Sequence, residues 1–321
     1  MPSLDGVKDT PQLTDLQFGY DDLIPIYDMS ERKTKAVSFR ELLKAYGYYG
    51  SAVIDALREY KAGNTAAGEP PINDQYFTQT DGTDISSTLS YNANCWAARF
   101  DLTGTAWHAP SDNESGSRRA HLIGPRAVVF ADHYEPEGDI TFTNLQGQRF
   151  TYSFASGTVS SGGTTYQPTY SLGNDGKVGV LSTDVDSSLR VYEIATSVES
   201  GEYVLATRSR ESSSSANIRQ RVHFHQTYAA YDGSSSLISL QLSSGSASSA
   251  SSSPFYAYMD DPSTNDSSDG VFTVDDNNIP KLLTTNYSIL GTGLVTGPMY
   301  GKTSRLADID TFLSAWSTTR G

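Results

Sequence analysis

One cysteine, Cys95, stands in 321 residues, so no disulfide can close within the chain and no thiolate cluster can hold a metal. Basic residues are scarce: Lys plus Arg number 23 against 37 Asp plus Glu, a formal net charge of −14 with a pI near 4.7. Phosphates would be repelled by that field, which argues against nucleic acid and against an anionic membrane as partners. Nowhere does the chain approach the roughly 20 consecutive apolar residues that a membrane-spanning helix needs. The opening MPSLDGVKDTPQL lacks the basic start and apolar run of a secretion signal, so synthesis in a cytoplasm is expected. No repeat with a period of roughly 20–50 residues recurs, which excludes solenoids and propellers.

What is abundant points to β-structure. Hydrophobic residues make up 37% of the chain and 27 glycines add to them, enough to build a core. Twenty Tyr and 12 Phe sit among many Ser, Thr, Gly and Asn, the mixture of strands joined by turns. At about 150 residues per domain the length suggests two units.

Residues 1–20 read as an extended polar arm. A strand over Asp22–Asp28, a charged turn and a strand over Ala36–Phe39 follow. Ser38 with Glu41 three residues on forms a capping box that opens a helix. A second helical pattern runs from Ser51 to Tyr60 and stops at Gly63. The linker GNTAAGEPP, residues 63–71, divides an N-terminal region, 1–71, from a β-rich domain, 72–321. Within the second, strands are expected at Ala97–Leu102, Ala127–Ala131, Ile140–Phe142, Arg149–Phe154, Lys177–Leu181, Arg190–Ile194, Tyr203–Thr207, Arg221–His225, Ser236–Gln241, Gly270–Val274 and Lys281–Tyr287. Ile309, Phe312, Leu313 and Trp316 then fall on one face of a C-terminal helix. Residues 243–253, almost all Ser, Gly and Ala, read as a flexible surface loop.

Three motifs carry possible chemistry. His121–Tyr134, HLIGPRAVVFADHY, is a turn feeding a buried strand that delivers His133 at its far end. It resembles the run "I-s-P-r-x-v-l-x-A-a-H" of the trypsin-like serine peptidases, which leads into their catalytic base. Asp186-Ser187-Ser188-Leu189 resembles that family's "D-x-A-L" segment, with Asp184 a rival two residues upstream. An aspartate there fixes the histidine tautomer and stabilises the imidazolium that forms. Asn265-Asp266-Ser267-Ser268-Asp269-Gly270-Val271-Phe272 resembles the nucleophile loop "G-D-S-G-x-P-v-f", which puts Ser267 at the nucleophile and the backbone N–H groups of Asn265 and Ser267 in the oxyanion hole.

Asn265, Ser268 and Gly270 depart from that pattern, and glycine is what permits so tight a turn. The resemblance covers about residues 85–316. It implies a mainly β fold of two antiparallel barrels with a C-terminal helix, and no cofactor. Given the altered loop, catalysis by His133, Asp186 and Ser267 is the second expectation and not the first.

The first expectation comes from residues 13–43. LTDL…DDLIPIYDMS…TKAVSFRELL is similar to a module that opens many tailed-phage structural proteins. That resemblance implies a virion protein (decoration, fibre or neck component) that attaches to other virion proteins through residues 1–45 and forms a homo-oligomer. A hairpin and one helix bury too little area to stand alone, which fits a need for partners. A third reading, a carbohydrate-binding or depolymerising spike, has no carboxylate pair to recommend it. His223 and His225 alternate onto one face of a strand as a metal pair would, but no third ligand follows and Arg219 and Arg221 disfavour a cation. Arg208, Arg210, Arg219 and Arg221 suggest a contact face for an acidic neighbour.

Overall fold

The structure is a computed structural model that describes residues 23–28, 33–38, 52–63, 73–79, 89–107, 118–210, 218–241, 268–286, 288–290 and 294–321. The capping-box helix after Ser38, the linker at 64–71 and the serine-rich 243–253 stretch lie outside these residues. Two compact units divide the chain, Met1–Gly50 and Ser51–Gly321. In the first, β1 (Leu23–Asp28) and β2 (Lys33–Ser38) pair antiparallel in continuous register, Leu23 opposite Ser38 through Asp28 opposite Lys33.

The second unit opens with helix α1 (Ala52–Gly63), whose Val53, Ile54, Ala56 and Leu57 are buried in the same core as the large sheets. The helix therefore packs with the β-structure of its own unit. Strands β3 (Phe77–Gln79) and β4 (Leu89–Tyr91) pair with each other. Next come β5 (Thr105–Ala106), β6 (Ala120–Gly124), β7 (Ala127–Ala131), β8 (Ile140–Thr143), β9 (Arg149–Tyr152), β10 (Val159–Ser161), β11 (Thr164–Tyr166), β12 (Thr169–Gly173) and β13 (Gly176–Val180). A five-stranded antiparallel sheet forms from them in the order β12-β13-β7-β6-β5, flanked by the pairs β8-β9 and β10-β11. The remaining strands are β14 (Tyr203–Arg210), β15 (Ile218–Thr227), β16 (Leu237–Gln241), β17 (Gly270–Val274), β18 (Pro280–Thr285), β19 (Ser288–Leu290) and β20 (Leu294–Pro298). They make a seven-stranded antiparallel sheet, β18-β17-β14-β15-β16-β20-β19. Helix α2 (Thr303–Ala315) follows, burying Ile309, Phe312 and Leu313 as its spacing predicts.

The burial pattern explains the apolar runs. On β7, Ala127 and Val129 enter a large central core, whereas Val128 and Phe130 face the other way, among Ile140, Phe142 and Leu181. On β14, Leu205 joins the central core while Val204 and Ala206 face Ile238, Leu240 and Val295. Each sheet thus has one face on the shared core and one on a private core of its own. A strand covered on both sides reads as continuous Val, Ile, Leu and Phe because alternate side chains find apolar surroundings in both directions. The mainly β architecture with a C-terminal helix agrees with what the family resemblance implies.

Two expected strands are absent. Ala97–Leu102 is a series of tight turns, with Ala98 N–H donating to Cys95 O and Phe100 N–H to Ala97 O. Arg190–Ile194 is extended but irregular, because it crosses between the sheets: Tyr192 N–H donates to Leu122 O of β6, and Leu282 N–H of β18 donates to Glu193 O. Its apolar alternation is real, since Tyr192 and Ile194 are buried, yet no single neighbour runs alongside it.

Candidate functional site

The site grows from the edge where β7 stops. Ala131 is opposite Gly176 in the β7-β13 register, so the residue before Gly176 faces the chain that continues from β7. That residue is Asp175. It shares a two-residue hairpin turn with Asn174, and their φ values are 65° and 49°. Left-handed backbone at both central positions is the geometry that twisted hairpins prefer and that Asn and Asp tolerate.

The turn holds the start of the next segment at three points. Asp132 N–H donates to Asp175 O at 2.8 Å, and His133 N–H donates to Asp175 Oδ1 at 2.8 Å. The second carboxylate oxygen, Oδ2, lies 2.6 Å from His133 Nδ1. A carboxylate at Nδ1 makes that nitrogen the N–H, which leaves the basic lone pair on Nε2. The His133 side chain is 43% exposed whereas Asp175 is 8% exposed, so the carboxylate is walled in and the imidazole stands partly in solvent. Around them Lys177 Nζ bridges Asp132 at 3.0 Å and Glu135 at 2.6 Å.

Asp186 is elsewhere. Its Oδ1 accepts from Ser188 N–H at 2.9 Å and from Ser188 Oγ at 2.6 Å, which pulls the carboxyl below its usual range. Its own N–H donates to Tyr152 Oη at 2.8 Å. This carboxylate closes a local Asp-turn in an exposed loop, while the carboxylate against the His133 ring is that of Asp175. Asp184 is likewise exposed. The expectation that Asp186 orients His133 is corrected accordingly.

Ser267 and Asn265 lie outside the described residues, but the two residues after Ser267 are placed. Ser268 is fully buried with φ 67°. It takes up the left-handed backbone that a glycine would supply, and its hydroxyl and main chain are all engaged. Ser268 Oγ accepts from Ala131 N–H at 3.0 Å, Ser268 N–H donates to Asn286 O at 3.0 Å, and Ser268 O receives His121 Nε2 at 2.9 Å. A hydroxyl so enclosed does not serve as a nucleophile. Asp269 is 1% exposed and pairs with the fully buried Arg119.

Sequence reasoning missed Asp175, Arg119 and His121. For Asp175 a signal was present: Asn-Asp-Gly between strand-forming residues is a hairpin-turn sequence, and the turn falls 42 residues after His133. For Arg119 and His121 nothing local marks a role, because their partners lie some 150 residues away. Among the described residues no group of three His, Cys, Asp or Glu is placed to hold a metal ion. His223 sits 3.7 Å from Asp74, which also pairs with Arg221 at 2.7 Å.

No protein-family model matches the chain, and no curated protein matches it. Among solved structures, a Glu endopeptidase in complex with MPD is 13% identical, with a TM-score of 0.43 over 74% of this chain and 95% of that one. A mutant of human heparin binding protein is 14% identical, with a TM-score of 0.41 over 61% of this chain and 87% of its own.

Proposed function

We propose that the chain carries a serine-peptidase-type acyl-transfer site on a trypsin-like double-barrel fold, with His133 as general base, Asp175 as its orienting carboxylate and Ser267 as nucleophile. The observation that carries this reading is the two-point grip of one buried carboxylate on His133, backbone and ring together. Such a grip sets tautomer and ring direction at once, which catalysis requires and a strand-terminating histidine does not. The left-handed Ser268 adds support, since the loop keeps the backbone a glycine would give.

In this mechanism Ser267 Oγ attacks a substrate carbonyl while its proton passes to His133 Nε2. Asp175 accepts the hydrogen bond of the proton that stays on Nδ1 and stabilises the imidazolium, which then protonates the leaving amine from Nε2. Backbone N–H groups at Asn265 and Ser267 would receive the oxyanion. Water repeats the sequence on the acyl-enzyme and frees Ser267. A fluorophosphonate probe tests the reading: stoichiometric labelling of the intact chain, lost in Ser267→Ala, is the expected result. A folded protein that takes up no label rejects it.

A second reading, compatible with the first, is that residues 1–45 attach the chain to other virion proteins in a homo-oligomeric particle component. The separate compact unit Met1–Gly50 and its β1-β2 hairpin favour it. Deleting residues 1–45 should leave a folded, soluble remainder that no longer joins its assembly; wild-type incorporation of the truncated chain rejects this reading.

A further inference from the structure

Two side chains, His121 of β6 and Arg119 just before that strand, converge on the two residues that follow Ser267. His121 is fully buried on β6, and its Nε2 faces Ser268 O at 2.9 Å. A carbonyl only accepts, so Nε2 carries the proton and Nδ1 is the acceptor. Thr105 Oγ1, 3.3 Å from Nδ1, is then the donor, and it receives in turn from Tyr192 Oη at 3.2 Å. A relay of neutral groups therefore fixes the imidazole in one tautomer and one plane.

Packing fixes it further. The ring meets Phe272 edge-on with centroids 5.7 Å apart, and it lies flat against Gly270: a Cβ placed there would fall 2.7 Å from His121 Nδ1. Gly270 stands where the resemblance places a proline, and the imidazole occupies the space that any side chain would need. Two residues before His121, Arg119 reaches Asp269 from the same side of the chain. Ser268 also holds Ala131, two residues before His133. One buried residue thus touches both halves of the site, the strand that delivers the base and the loop that delivers the nucleophile.

We propose that His121 is a positioning residue for the acyl-transfer site: by holding the Ser268 carbonyl it fixes the backbone of the residue that follows the proposed nucleophile. This rests on the peptidase reading above. His121 touches neither substrate nor the reacting atoms; it acts through Ser268.

The second-order rate of fluorophosphonate labelling, measured on the full chain and normalised to the folded fraction from near-ultraviolet circular dichroism, tests the assignment. His121→Leu removes the donor to Ser268 and should slow labelling at least tenfold per folded molecule. His121→Gln retains an N–H donor of similar reach and should recover to within about threefold of wild type. A residue that only stabilises the fold would lower the folded fraction and leave the normalised rate alone, so unchanged labelling in His121→Leu overturns the proposal. Should that variant not fold, Thr105→Val, which strips the hydroxyl from Nδ1 and leaves the ring, decides: a severalfold slower rate supports the assignment and an unchanged rate rejects it. Absence of labelling in folded wild type fails the peptidase reading itself and takes this inference with it, a result distinct from labelling that is indifferent to His121.

Discussion

The two corners of the site are built in opposite ways. At the His133 corner the base is 43% exposed, and its place is set by one carboxylate on a hairpin tip. At the Ser268 corner the described side chains are withdrawn from solvent: Ser268, His121 and Arg119 are fully buried, and Asp269 is 1% exposed. Under the peptidase reading, a base that exchanges protons with substrate and water has to remain accessible, and the carboxylate grips its Nδ1 side. A loop that must hold a left-handed backbone at a non-glycine residue has to be over-determined, because such strain persists only where the surroundings insist on it. The contrast teaches that the first corner depends on the contacts of one residue, Asp175, and the second on a network whose members fail together.

The largest expected effect falls on the exposed corner and is kinetic. Asp175→Asn keeps the shape of the turn but presents an amide where Nδ1–H needs an acceptor. Loss of the correct tautomer in such a triad costs about 10⁴ in rate. Peptide hydrolysis or probe labelling should fall by about that factor, with the melting temperature nearly unchanged. A fall smaller than tenfold would remove Asp175 from the role assigned to it.

The buried corner breaks differently, through stability. Arg119→Met leaves Asp269 as an uncompensated buried charge, and removing one partner of a buried pair costs about 3–5 kcal/mol. The exposed pair Lys281–Glu193, at 2.7 Å, is the control, and breaking it should cost about 0–1 kcal/mol. Urea denaturation of Arg119→Met and Lys281→Met measures both. Equal losses would mean that burial does not separate the two corners.

A smaller effect appears with pH. Burial, with Arg119 adding to it and the Ser268 carbonyl opposing, lowers His121 from 6.5 to about 4. Below pH 6.5 the unfolded chain therefore binds a proton at this position that the folded chain refuses. Stability from neutral His121 is complete above about pH 6.5 and drains away as pH falls toward about 4, a total of about 3 kcal/mol. Urea midpoints at pH 7 and pH 4.5 should converge in His121→Gln relative to wild type. If both proteins lose stability equally over that interval, His121 is not the buried neutral group inferred here.

Legibility in the sequence followed the distance between partners. Ala127–Ala131 and Gly270–Val274 were readable to the residue, since runs of Val, Phe and Thr covered on both faces admit little else. The face of α2 was readable because i, i+3, i+4 and i+7 contacts are local. The end of β7 just before His133 was readable, but the carboxylate against that ring was not: Asp186 lies near a resembling motif, whereas Asp175 is selected by the β7-β13 register, which a linear reading does not contain. Ala97–Leu102 misled for a related reason, its buried Ala97, Phe100 and Leu102 being apolar because they meet the central core through turns and not through a ladder. The Arg119 and His121 contacts needed two sheets to be folded against each other before they existed at all.

The smallest expected effect separates the two aspartates. Asp186 spends its carboxylate on the Ser188 N–H and hydroxyl of its own loop, and the side chain stands in solvent. Asp186→Ala removes that turn and nothing that touches His133, whose ring and backbone are both held by Asp175. Hydrolysis and labelling should therefore stay within about threefold of wild type, set beside the about 10⁴ expected for Asp175→Asn. Since an exposed Asp-turn contributes through local hydrogen bonds alone, thermal unfolding should shift little as well. Reversal of the pair, with Asp186→Ala inactive and Asp175→Asn active, would restore the motif-based assignment and show that the loop carrying Asp186 reaches His133 in solution.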